Sequence, residues 1–106
     1  MKKLSATQQK VLEQCYKDID LARSLSFEEW FFETQCHGRR DVYDYKVKRG
    51  FVEWAREYYE NRKVGIVLTH CNSKTLEALK KAGCIEIIRD SKGEHYGIDR
   101  VKVLNY

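Results

Sequence analysis

The chain has 106 residues, room for one domain and not for a catalytic domain beside a separate binding domain. Hydrophobic residues make up 42%, aromatics 12% and charged residues 34%, with no proline, a balance that excludes a wholly disordered chain and predicts a self-supporting core. Twenty basic against sixteen acidic side chains leave +4, modest evidence for a polyanionic partner, and the longest apolar run, Val64 to Leu68, is far short of the ~18 residues of a membrane span.

The start, Met1-Lys2-Lys3-Leu4-Ser5, is positive but turns polar where a secretory signal would turn apolar, so a cytoplasmic location is expected. Ser5 followed three residues later by Gln8 is a capping-box signature. Behind it Val11, Leu12, Cys15, Tyr16, Ile19 and Ala22 recur at three- and four-residue steps, which predicts an amphipathic core helix over 5–24. Ser26 with Glu28 and Glu29 reads as another helix start, although Phe27-Glu28-Glu29-Trp30-Phe31-Phe32-Glu33 has no clean period. Cys36-His37-Gly38-Arg39-Arg40-Asp41 reads as a loop. Apolar residues from Val42 to Tyr59 follow helical spacing, with Gly50 as a start or kink, and the helix proper is placed at about 48–61.

Val64-Gly65-Ile66-Val67-Leu68 is β-branched and reads as a strand over 64–68. Asn72 or Ser73 caps a helix over about 73–82, with Thr75, Leu76, Leu79 and Ala82 inward and Gly83 as its left-handed stop. Strands at 84–89 and 96–104, joined by the turn-rich Asp90-Ser91-Lys92-Gly93-Glu94, form a hairpin.

The four cysteines lack an export context and are expected as reduced thiols. Cys36-His37 and His70-Cys71 invite a zinc reading, but sequence neighbours point apart, so no metal and no cofactor is expected. There is no metal-binding helix motif, phosphate-cradling glycine loop or nucleophile motif, and an enzyme is not expected.

The segment Asn72-Ser73-Lys74-Thr75-Leu76-Glu77-Ala78-Leu79-Lys80-Lys81-Ala82-Gly83-Cys84-Ile85-Glu86-Ile87-Ile88 resembles the recognition helix and first wing strand of small winged helix-turn-helix proteins encoded by phages and mobile elements. Gln8-Gln9-Lys10-Val11-Leu12 is similar to that family's first helix, and the opening helix together with the recognition-like helix and hairpin covers about half the chain. The resemblance implies an α+β, winged-helix-like single domain over 1–106, three or four helices with a C-terminal β-hairpin, carrying an acidic aromatic insertion at about 25–60.

The charge distribution agrees with this division. Residues 25–60 hold six basic and eight acidic groups, residues 61–106 nine and five, so a polyanion is expected at the C-terminal segment. Opposite Leu76 and Leu79 the helix presents Ser73, Lys74, Glu77 and Lys81, with Lys80 at the edge; the hairpin adds Arg89, Lys92, Arg100 and Lys102. These residues form the expected surface for double-stranded DNA, in an accessory or transcription-regulatory role. Lys2, Lys3 and Lys10 add a basic arm. Trp30, Phe31, Phe32, Tyr43, Tyr45, Trp54, Tyr58 and Tyr59 are expected first in the core. An exposed subset would serve a protein contact or, interleaved with Arg39, Arg40, Lys46, Lys48 and Arg49, stack on single-stranded bases. The alternative function is therefore a protein-interaction module that uses 25–60 to engage or inhibit a host protein, with a homodimer as a further partner.

Overall fold

Ser5 starts the longest helix as its sequence predicts. Its hydroxyl accepts from the Gln8 amide at 3.2 Å and the Gln8 side chain accepts from the Ser5 amide at 3.0 Å, so two orphan donors at the helix end are satisfied. The helix, α1, runs Ala6–Ser24 and buries Leu12, Cys15, Ile19 and Ala22 along one stripe. A computed structural model provides the coordinates and describes residues 4–89, 99–104 and 106, the side chain of Arg89 apart.

A second capping box, Ser26 with Glu29, opens α2 (Phe27–Trp30), and the chain then widens into a π-helical turn over Phe31–Gln35. The wider turn explains the unclear period of this stretch. Phe31 and Cys36, five apart, are both buried, and the Cys36 amide donates to the Phe31 carbonyl at 3.1 Å, the spacing of a π-turn rather than of an α-helix.

The helix expected at about 48–61 is α4 (Phe51–Lys63), and a separate helix, α3 (Arg40–Lys48), precedes it. Gly50 separates them with φ +78, a left-handed conformation open to glycine at little cost. The loop expected over 36–41 is correspondingly shorter, because α3 begins at Arg40. Among the described residues there are thus five α-helices rather than three or four.

The strand β1 covers Ile66–Thr69 and is followed by helix α5 (Ser73–Lys81), capped by Asn72, whose side chain accepts from the Thr75 amide at 2.8 Å. Gly83 ends α5 at φ +77, with its amide donating to Lys80 and that of Cys84 to Leu79, both at 3.0 Å; this is a Schellman stop. The strands β2 (Ile85–Arg89) and β3 (Asp99–Val103) follow; the turn at 90–94 and the start of the second strand at 96–98 lie outside the described residues. The sheet is antiparallel in the order β1-β3-β2, with Val67 opposite Val101 and Ile87 opposite Val101 on the other side. The α+β class therefore holds. Three residues, His70–Asn72, connect β1 to α5, so a strand and not a helix stands immediately before α5.

Among the described residues two apolar clusters form the core. In one, Leu12, Cys15 and Ile19 of α1 and Leu76 and Leu79 of α5 pack on Val67, Ile85, Val101 and Val103 of the sheet. In the other, Ala22 of α1 meets Trp30, Phe31, Cys36, Ala55 and Tyr59. The first helix spans both. Among the described residues no helix is long and apolar enough to cross a membrane.

Candidate nucleic-acid interface

Helix α5 is anchored from below by Leu76, Leu79 and Thr75, all buried. That leaves Ser73, Lys74, Glu77, Lys80 and Lys81 exposed on its other side, as the spacing predicts. Three lysines against one glutamate make this face cationic. A shallow groove runs along one flank, where Lys74, Glu77, Ala78, Lys81 and Ala82 face Leu4 and Gln8 at the start of α1. The lysines of the last turn, Lys80 and Lys81, sit at the negative end of the helix dipole.

The strand residues do not join this face. On β3, Asp99, Val101 and Val103 are buried, and the two valines pack in the cluster that holds Leu76 and Leu79. Because side chains alternate across a strand, Arg100 and Lys102 point to the opposite side of the sheet, away from α5. Lys102 lies there between Ile66 and Glu86 in register, and Arg100 pairs with Leu68. The sequence correctly assigns Arg100 and Lys102 to one face of their strand, but that face looks away from the helix. Lys92 and the arm residues Lys2 and Lys3 lie outside the described residues, as does the side chain of Arg89; Lys10 is exposed on α1.

The aromatic block divides. Trp30, Phe31 and Tyr59 are buried, and the Tyr59 hydroxyl donates to the Leu25 carbonyl at 2.6 Å. Phe32, Tyr43 and Tyr58 are half-buried. Tyr45 and Trp54, expected in the core, are instead 55% and 52% exposed, and Val47 and Phe51 beside them are each 42% exposed. Helix α4 turns Ala55 and Tyr59 inward and leaves Phe51 and Trp54 on its flank, while α3, set apart from it by Gly50, carries no fully buried residue and leaves Tyr45 and Val47 in solvent. Nothing in the hydrophobic spacing separates these two outcomes, although the interleaving of Tyr45, Val47 and Phe51 with Lys46, Lys48 and Arg49 is an interface-like pattern.

The cysteines are free thiols. Burial, with smaller contributions from Asp18 and Cys71, pushes the Cys15 thiol up to about 12, and burial also raises Cys71. Cys36 is buried while His37 next to it is exposed, and Cys71 is half-buried beside exposed His70. Among the described residues no group of three or more His, Cys, Asp or Glu side chains is arranged to hold a metal ion. No protein-family model, curated protein or solved structure gives a significant match to the chain.

Proposed function

We propose that this chain is a small winged-helix-like protein that binds double-stranded DNA through the polar face of α5, in an accessory or transcription-regulatory role. The phage or mobile-element character rests on resemblance alone, that of residues 8–12 and 72–88. One observation carries the binding: Ser73, Lys74, Glu77, Lys80 and Lys81 stand exposed together on a helix whose opposite face is held by Leu76 and Leu79. A major groove about 12 Å wide admits one helix. Lys74, Lys80 and Lys81 meet phosphates, Ala78 permits close approach, and Glu77 accepts from cytosine N4 rather than facing the backbone. Arg100 and Lys102 are left out of this surface, because they face the other side of the sheet.

Titration of labelled duplex at several salt concentrations tests the proposal. Log affinity falls linearly with log salt, and each lost phosphate-contacting lysine makes the slope shallower by about one. Lys74→Glu with Lys81→Glu abolishes duplex binding, whereas Arg100→Glu with Lys102→Glu leaves most of it. Salt-independent or absent binding by the native chain, or the reverse order of the two double variants, overturns the assignment.

A second reading, a protein-interaction module that engages a host protein or a second copy, is supported by the exposed Tyr45, Val47, Phe51 and Trp54. Isolated apolar residues at a surface are ordinary; adjacent ones that include a tryptophan mark contact surfaces.

A further inference from the structure

What a helix face can read on a duplex depends on the groups it carries. Base edges are matched by the arginine fork and by the paired donor and acceptor of an asparagine or glutamine amide, whereas a lysine ammonium is a point charge that any phosphate satisfies. On α5 the exposed cations, Lys74, Lys80 and Lys81, are all lysines. Lys74 and Lys81 stand seven residues apart, about 10.5 Å along the axis, which is about three base-pair steps. Between them lie Glu77 and the methyl group of Ala78. The Ser73 hydroxyl both donates and accepts, so it does not discriminate between bases.

The amide side chains around this face are already committed. Asn72 accepts from the Thr75 amide at 2.8 Å. At the start of α1, which borders the face, Gln8 accepts from the Ser5 amide at 3.0 Å and Gln9 donates to the Leu4 carbonyl at 3.3 Å. Reading adenine takes both ends of such an amide at once, so each of these would give up the bond it makes at its own helix start. The arginines are engaged elsewhere. Arg23, Arg39, Arg40, Arg49, Arg56 and Arg62 meet carbonyls, carboxylates or rings away from α5, and Arg100 faces the other side of the sheet. Among the described residues that leaves Glu77 as the group on α5 able to tell one base from another, by a single bond from cytosine N4.

We infer, resting on the duplex-binding reading above, that α5 holds double-stranded DNA with little regard to sequence: its three lysines meet phosphates on any duplex, and Glu77 adds a weak preference for one C·G pair. This selects the accessory role over the regulatory one, a protein that covers DNA by mass action rather than one that seeks an operator. Three phosphate contacts correspond to a log–log salt slope of about −2.7, so raising the salt fourfold lowers affinity about 40-fold. A specific site is held about 10³-fold or more above other DNA, and one bond to a carboxylate falls far short of that.

Selection of bound duplexes from a pool of random sequence by the full chain, followed by titration of the winners and of the unselected pool at stepped salt, tests the inference. The expected winners exceed the pool by no more than about tenfold, with the enrichment confined to one C·G pair and the same salt slope for every duplex. Glu77→Ala removes the enrichment and binds the pool at least as tightly as the native chain, because a negative charge is withdrawn from the phosphates. Glu77→Gln, which keeps the side chain's size, moves the preference from cytosine to adenine. Far-ultraviolet dichroism equal to that of the native chain shows that both variants fold. Convergence of the pool on several defined base pairs, bound about 10³-fold above the unselected pool, overturns the inference and leaves duplex binding standing. An enrichment that survives Glu77→Ala also overturns it, since another group is then the reader. A native chain that retains no duplex at low salt fails the duplex reading itself, and the inference with it.

Discussion

Cys15 shows how a residue's setting outweighs its intrinsic chemistry. Enclosed between α1, α5 and the sheet, its thiol is raised from 9.0 to about 12, first by burial. The native state therefore holds its proton where the unfolded chain has released it, so this contribution to stability is complete below pH 9 and is lost as pH rises from 9 towards 12. Denaturant titrations at stepped pH are expected to show a decline approaching 1.4 kcal/mol per pH unit above 9, and Cys15→Ala removes this component. In native protein a thiol reagent labels the half-buried Cys71 and Cys84 well before Cys15 and Cys36. Packing sets the larger energies. Ile19 and Leu76 are almost fully buried, and replacing either by alanine is expected to cost about 2–5 kcal/mol in chemical unfolding. These burials are legible in the sequence because the three- and four-residue spacing of α1 and α5 admits only one inward face.

Helix ends were equally legible where the signal is local. The Ser5–Gln8 pair, Asn72 and Gly83 each mark a boundary by bonds spanning no more than five residues. Asn72→Ala is expected to cost about 1 kcal/mol by leaving the Thr75 amide without its cap. The 31–35 turn and the α3–α4 break were less legible, for different reasons. A π-turn shifts the register by one residue, so neither a helical nor a strand template fits across it. At Gly50 the sequence shows a glycine inside a helical pattern, which fits either a kink or a terminus. Its positive φ settles the matter, and a Cβ there meets nothing within 4 Å. Gly50→Ala is therefore expected to destabilise through backbone strain alone, by about 1–2 kcal/mol in thermal or chemical unfolding.

Across the whole molecule, α1 is the member common to both apolar clusters, contributing Leu12, Cys15 and Ile19 to one and Ala22 to the other. Arg23 ties this helix to the Lys63 carbonyl at 3.0 Å and to that of Tyr106 at 3.3 Å; the Tyr106 hydroxyl donates to Asp20 at 2.5 Å and its ring stacks on Tyr16. Helix α4 packs against both α1 and β1. With that sharing, the clusters are expected to unfold together. In a Trp54→Phe background, urea curves followed by Trp30 emission, which reports the helical cluster, and by Cys15 labelling, which reports the sheet cluster, are expected to coincide; separated midpoints would show two independent units. The same architecture places the candidate surfaces apart. The lysines of α5 lie beyond one side of the sheet, Arg100 and Lys102 on the other, and the aromatic corner at the α3–α4 junction.

By itself the sequence determined the first helix, the α5 helix with its cap and stop, the first two strands to within two residues and the described part of the third, and the exposure of Ser73, Lys74, Glu77, Lys80 and Lys81. Each follows from periodicity or from hydrogen bonds between near neighbours, which any short stretch of chain carries within itself. Only the tertiary structure decided that Arg100 and Lys102 turn away from α5 and that Trp54 and Tyr45 stay in solvent. Those outcomes depend on which face of β3 is buried and on how two helices pack across Gly50, and both are settled by contacts between residues far apart in the chain.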